Sequence, residues 1–248
     1  MDYESITTEY YSRWVGKNIA EAVEGAEYVY SDERNRVQAG YGNRFDLWVW
    51  MDDKKIIVSY GDKAKDNLGL LREKVGSTTN ARELVQLLTE IYGGKLSHGV
   101  KYLFRGGAYA PGPARILRGV DYELYEDFFR KINPDCKELS WLREYFDEMV
   151  SEGVCCGVFT NGTLTCCTDA PLMPYMSGEA QEIGVNTLEG YRGRHYAADS
   201  ARLCAEQIIK NGKCPQWSTD IDNIASQKTA ESAGFCRFGE YIGITIED

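Results

Sequence analysis

Two arginines bracket a glycine at Arg192-Gly193-Arg194, directly ahead of the small-residue stretch Tyr196 to Leu203. Residues of these types at this spacing suit the holding of an anion. A helix start leaves several backbone N–H groups unpaired and carries about half a positive charge. Gly193 lets a ligand approach the backbone with no Cβ in the way, and each guanidinium adds a full charge. Together they predict a phosphate or pyrophosphate site. The alternative is a solvated helix start whose arginines offset nearby acids. The surrounding chain makes the basic turn conspicuous, since 28 Lys and Arg stand against 38 Asp and Glu, a formal net charge of −10.

The helix that follows runs to Asn211, with Ala197, Ala201, Cys204 and Ile208 on its buried stripe and Gly212 as its left-handed cap. Before the loop, "EIGVNT" (Glu182–Thr187) reads as a strand. After the helix, "CPQWSTD" is a strand, "NIASQKTAESAGF" a helix stopped by Gly234, and "YIGITI" the last strand. Upstream, "VCCGVF" and "LTCCTDA" form a hairpin turning on Asn161-Gly162. Helices are predicted near Tyr122–Ile132 and Glu138–Glu152, and "ARILRG" as a short strand. The segment Arg105–Ala114, with two prolines and three glycines, marks the boundary between an N-terminal region, 1–112, and a C-terminal one, 113–248. The first region opens with a helix over Ser5–Glu24. It continues with strands "EYVYS", "DLWVWMD", "KKIIVSY" and "VKYLF" and helices near Asp66–Val75 and Asn80–Tyr92.

The Arg-Gly-Arg loop and the later Asn223, Ser226, Gly234 and Phe235 together resemble the GNAT superfamily of acyl-CoA-dependent N-acyltransferases. The family's loop pattern, Gln/Arg-x-x-Gly-x-Gly/Ala, stands here as Gly190-Tyr191-Arg192-Gly193-Arg194-His195. The resemblance covers about the last 135 residues. "EIGVNT", "PQWSTD" and the long N-terminal extension look most like the subgroup that includes zwittermicin A resistance acetyltransferases. The resemblance implies an α/β fold with a mixed central sheet whose two middle strands splay apart to take acetyl-CoA, behind an N-terminal α/β extension. It implies that the backbones of Val185 and Thr187 bond the pantetheine and the thioester carbonyl. It assigns the pyrophosphate to the amides of Arg192, Gly193, Arg194, His195, Tyr196 and Ala197, and the pantetheine arm to Asn223, with Ser226 beside it. Asn223 also suits a helix N-cap.

Three departures from the family stand out. His195 replaces the second glycine, and Gly190 the usual Gln or Arg. Ala230 occupies the place of the tyrosine that often protonates the leaving thiolate. The chain has one strand after Phe235 where the family has two, and a strand of the N-terminal half such as "DLWVWMD" is expected to complete the sheet.

Acyl transfer needs a neutral amine beside a polarised thioester carbonyl. Glu182 is the candidate base, at the start of the strand that carries the thioester and of opposite parity to Val185 and Thr187. Its alternative is a structural carboxylate. Tyr241 is the candidate acid, and His98 is incidental. The leading expectation is an acetyl-CoA-dependent N-acetyltransferase acting on a small primary amine, with residues 1–112 shaping the acceptor pocket. The alternative is an acyl-CoA-binding sensor or interaction domain with weak or no catalysis. A plainer reading is an α/β domain with no CoA site.

The remaining composition narrows partners and location. A strongly acidic chain is not a general nucleic-acid binder. No run of about 18 apolar residues is present to span a membrane, and the acidic start lacks the features of a signal peptide. The eight cysteines read as free thiols in a reducing cytoplasm. Neighbouring cysteines on a strand face opposite ways, so neither Cys-Cys pair converges on a metal.

Overall fold

The structure is a computed structural model that describes residues 1–39, 41–76, 79–107, 112–171 and 173–247. Part of the predicted boundary segment, 108–111, lies outside the described residues. In chain order the elements are α1 (Tyr3–Val15), β1 (Gly25–Tyr30), β2 (Leu47–Met51), β3 (Lys55–Tyr60), α2 (Leu68–Lys74), α3 (Ala81–Tyr92), β4 (Lys95–Phe104) and β5 (Arg115–Ile116). They continue with α4 (Tyr122–Ile132), α5 (Leu142–Ser151), β6 (Cys156–Thr160), β7 (Thr163–Asp169), β8 (Ala180–Glu182), β9 (Gly184–Thr187), α6 (Tyr196–Lys210), β10 (Cys214–Asp220), α7 (Ile224–Ser232) and β11 (Phe235–Thr245).

Local chemistry sets many of these limits. Asn80 and Glu83 form a reciprocal capping box at the start of α3, whose Leu84, Leu88 and Tyr92 are buried at steps of four. Asn161 and Gly162 both take positive φ, 52° and 79°, the conformation a two-residue hairpin needs. The first helix departs from expectation. Gly16, at φ 72°, caps α1 after Val15, so the helix does not reach Glu24. Ile19 is buried in a separate 3₁₀ turn and Val23 is exposed. On α6 the buried stripe is Ala198, Ala201, Cys204 and Ile208, and Ala197 is half-buried instead.

A seven-stranded sheet runs β1-β3-β2-β11-β4-β10-β8, and a four-stranded sheet runs β5-β6-β7-β9. Both halves of the sequence contribute to the larger sheet. The segment Ala180–Thr187 joins the two sheets. Its first part pairs in parallel with β10, and its second part pairs antiparallel with β7. The last bond to β10 is Ile183 N–H to Gln216 O, 3.0 Å. Beyond it β9 leaves β10, and the strands are splayed.

A strand of the N-terminal half enters the larger sheet beside β10 and β11. β4 inserts between β10 and β11, antiparallel to both. The expected "DLWVWMD" strand, β2, also joins, but on the far edge of β11. Helix α6 packs on β6, β7, β9 and β10, and α1 on β2, β3, β4, β8 and β10. An aromatic core of Tyr10, Tyr11, Trp14, Trp48, Trp50 and Tyr241 forms under α1.

Candidate active site

The backbone of β9 is arranged by its register. Antiparallel pairs alternate between bonded and non-bonded positions. Leu188 N–H donates to Thr165 O at 2.9 Å, which makes Gly184, Asn186 and Leu188 the bonded positions toward β7. The polar groups of Val185 and Thr187 therefore point the other way, into the splay. Arg192 Nε donates to Thr187 O at 3.3 Å, closing one end of that edge.

The loop after β9 alternates its backbone hand. Gly193 sits at φ 74° and His195 at φ 63°. Such alternation turns successive N–H groups toward one point, an anion-binding nest. Among the described residues, the N–H groups of Gly193 through Ala198 make no hydrogen bond, and the helical ladder begins with Asp199 N–H to His195 O at 3.0 Å. A Cβ on Gly193 would meet nothing within 4 Å, so its conformation rather than its neighbours calls for glycine. His195 holds a left-handed conformation that costs a non-glycine residue about 1–3 kcal/mol. Its side chain is exposed and does not fill the nest. Arg192 and Arg194 are exposed beside it.

Val185, Thr187, the loop from Tyr191 to Ala198, and Asn223, Ser226 and Thr229 of the facing helix line one groove of about 580 Å³. The structure thus brings the predicted anion loop, strand edge and Asn223 together. Asn223 caps α7, its Oδ1 accepting from Ser226 N–H at 3.0 Å. The Ser226 hydroxyl accepts from Trp217 Nε1 at 3.3 Å.

On the face under α1, just before the strands part, Glu182 accepts a hydrogen bond from the Ser218 hydroxyl. The Glu182 charge acts on Tyr10, Tyr11, Tyr41, Lys101, Asp169 and Tyr241, so all of these groups lie within its electrostatic reach. Tyr241 is 7% exposed and stacks on Trp48 with ring centroids 4.5 Å apart. Its ring lies over Gly99, where a Cβ would come within 2.5 Å of Cε1. Burial, then the charges of Asp220 and Glu182, push the Tyr241 phenol up and keep it protonated. His98 lies apart, paired with Glu240 at 2.9 Å.

Sequence reasoning missed three residues near Glu182. Lys101 is buried and its amine is pushed down to about 8 by that burial, against the pull of Glu182 and Asp220. Asp169, opposite Gly184, is pushed up to about 6 by burial and then by Glu182, and its Oδ1 has no partner. Ser218 links Glu182 to β10. Only the apolar run around Lys101 carried a readable signal.

Among the described residues no group of three or more His, Cys, Asp or Glu side chains is placed to hold a metal. The eight cysteines are free.

With a mixed sheet parted at one strand and a row of unbonded N–H groups at the adjoining helix start, the protein is a mixed α/β protein. The sequence pattern of the GNAT acetyltransferase family matches residues 117–244, and the chain belongs to that family. Its fold is similar to a GNAT-family acetyltransferase from Colwellia psychrerythraea, at 16% identity and TM-score 0.51, covering 66% of this chain and 61% of that one. It is similar again to a GCN5-related N-acetyltransferase from Sphaerobacter thermophilus, at 12% identity and TM-score 0.51, covering 67% of this chain and 56% of that one. The chain therefore spans about three-fifths of the length of these solved structures. No curated protein matches it.

Proposed function

We propose that the protein moves an acetyl group from acetyl-CoA to a primary amine of a small molecule by direct transfer. The observation that carries this reading is the row of unbonded N–H groups from Gly193 to Ala198, lining one groove with the edge of Val185 and Thr187 that faces away from β7. The N–H groups and Arg192 and Arg194 would hold the pyrophosphate. The odd-numbered edge of β9 would bond the pantetheine, with Asn223 at its side. Acetyl-CoA supplies the activated acyl group.

Glu182 would take the proton that the amine must lose, directly or through the Ser218 hydroxyl. Tyr241, buried and protonated, would serve as the acid for the departing thiolate in place of the residue replaced by Ala230. Residues 1–112 would form the acceptor side of the site, since Tyr10 and Tyr11 of α1, Tyr41 and Lys101 lie within reach of the Glu182 charge. The acceptor's approach from the α1 face and the acyl donor's from the α7 face would meet at the splay. The finer likeness to zwittermicin A resistance acetyltransferases rests on "EIGVNT", "PQWSTD" and the N-terminal extension. Eight free thiols suit a reducing compartment such as the cytoplasm, and no helix among the described residues is long and apolar enough to cross a membrane.

Thermal shift with acetyl-CoA tests the reading, followed by release of CoA thiol with a panel of small primary amines. Ligand at about 100 times its dissociation constant should stabilise the fold by roughly 2.7 kcal/mol. 3′-Dephospho-CoA should retain much of the affinity. No shift at millimolar acetyl-CoA would refute the cleft. Binding without turnover on any amine would favour a sensor, the reading that Ala230 keeps open.

A further inference from the structure

Lys101 sits near the middle of β4, directly opposite Ser218 of β10. Directly opposed residues on paired strands project to the same face. The Ser218 hydroxyl donates to Glu182, so one strand position separates the lysine from the candidate base. Lys101 is 1% exposed. Among the described residues its ammonium makes no hydrogen bond and no ion pair. It lies 4.3 Å from the ring centroid of Tyr241, 5.5 Å from Tyr11, 5.6 Å from Trp48, 5.9 Å from Trp14 and 6.0 Å from Tyr41.

A buried cation without a bonded partner is costly, and a lysine of purely structural use extends its head to water along an apolar stem. This one turns inward instead, to the side of the sheet on which Ser218 and Glu182 lie. The groups that face it are Tyr10 and Tyr11 of α1, Tyr41, Tyr241 of β11, Glu182 of β8 and Asp220 of β10. Ring faces and two carboxylates favour an ammonium, while burial opposes it and leaves the amine titrating at about 8. A share of neutral amine is thus present near neutrality, the form that attacks a thioester. Glu182 and Ser218 are half-buried and Asp220 is exposed, so solvent reaches the carboxylates near Lys101.

We infer that Lys101 is itself an acyl acceptor, taking the acetyl group in cis from the thioester held in the splay. The inference rests on the acyl-CoA reading of the groove and goes beyond it. The Nζ lone pair attacks the thioester carbonyl carbon. The C–N bond forms, the C–S bond breaks, and the thiolate of CoA leaves. The proton lost by the amine passes to Glu182 and then to the thiolate or solvent. The products are an acetyl-lysine and CoA, with no oxidant or reductant required. The modified side chain is neutral, so the carboxylates of Glu182 and Asp220 lose their positive neighbour.

The test is to incubate the full chain with acetyl-CoA and no added amine, locate acetyl groups by peptide mass spectrometry, and measure acetyl-CoA binding in parallel by calorimetry. Lys101 should be acetylated ahead of the exposed Lys54 and Lys65, and the preference should vanish in protein unfolded with urea. Glu182→Gln should slow labelling by about 10²-fold or more with binding retained. Lys101→Arg should bind acetyl-CoA and carry no acetyl group at this position. Bound acetyl-CoA with Lys101 unmodified would overturn the inference and leave the cleft standing. Labelling of Lys101 no faster in folded than in unfolded protein would also overturn it. Failure of acetyl-CoA to bind would overturn both.

Discussion

Replacing Gly193 by Asp separates the geometry of the anion nest from its charge. Gly193 is at φ 74°, and an added Cβ meets no atom within 4 Å. Any L-residue there pays the left-handed backbone cost of about 1–2 kcal/mol, without steric conflict, so Gly193→Ala and Gly193→Asp should lose similar stability and keep the fold. Only the aspartate sets a negative charge against the pyrophosphate. Two unit charges at about 4 Å interact by ~1 kcal/mol in water and ~4 kcal/mol at an effective dielectric of about 20. The loop is exposed, so the lower part of that range applies, about 1–3 kcal/mol. At 1.4 kcal/mol per decade, the aspartate should weaken acetyl-CoA binding about 5- to 10²-fold relative to the alanine variant. Isothermal calorimetry on both variants, with urea denaturation to confirm equal stability, measures the difference. Equal dissociation constants for Ala and Asp would place the pyrophosphate somewhere other than this loop.

Two further outcomes are expected. Glu182→Gln should reduce turnover of an accepted amine by about 10²–10⁴-fold with little change in acetyl-CoA affinity, and the defect should shrink at high pH, where more amine is already neutral. Lys101→Met should change the pH dependence of stability: an amine lowered from 10.5 to about 8 on folding binds fewer protons folded than unfolded between those values. Wild-type stability should therefore rise as pH climbs above about 8, and the charged form should cost about 3 kcal/mol below it, at 1.36 kcal/mol per pH unit. The methionine variant should be more stable near pH 7 and lose this slope, as read by urea denaturation at pH 7 and near 9.5.

The C-terminal site was legible because its signals are local. Gly193 needs a positive φ, the arginines flank it, and Asn223 caps the next helix, so a few adjacent residues carry each feature. The hairpin at Asn161-Gly162 was legible for the same reason. The surroundings of Glu182 were not, because Lys101 and Ser218 come to it only through pairings between strands distant in sequence. A lysine inside a strand reads as solvent-facing. The available signal was the surrounding run, Val100 to Phe104, in which Val100, Tyr102 and Phe104 hold one parity and Leu103 the other. Apolar residues on both parities mark a strand covered on both faces, and a lysine within such a strand is a buried amine. The first helix was overextended because Ile19 and Val23 keep helical spacing past Gly16, whose left-handed cap outweighs that periodicity.

The late departure at the chain end and the buried lysine share one cause. Among the described residues β11 is the strand that follows α7, and β4 of the N-terminal half lies between β10 and β11, bonding to both. The same insertion carries Lys101 to the face of Glu182 and sets Gly99 beneath Tyr241. Residues 113–248 expressed alone would leave β10 and β11 with facing, unpaired edges and would uncover Trp217 and Phe235, which pack against Val100, Tyr102 and Phe104. Unpaired edges invite association between chains, and the apolar surface of these two large side chains would return to water at about 25 cal/mol per Å². The fragment should therefore aggregate or show no cooperative melting by circular dichroism. Co-expression with residues 1–112 should restore a soluble complex that acetyl-CoA stabilises. A monomeric fragment 113–248 that melts cooperatively and binds acetyl-CoA with the affinity of the whole chain would refute the dependence of the site on β4.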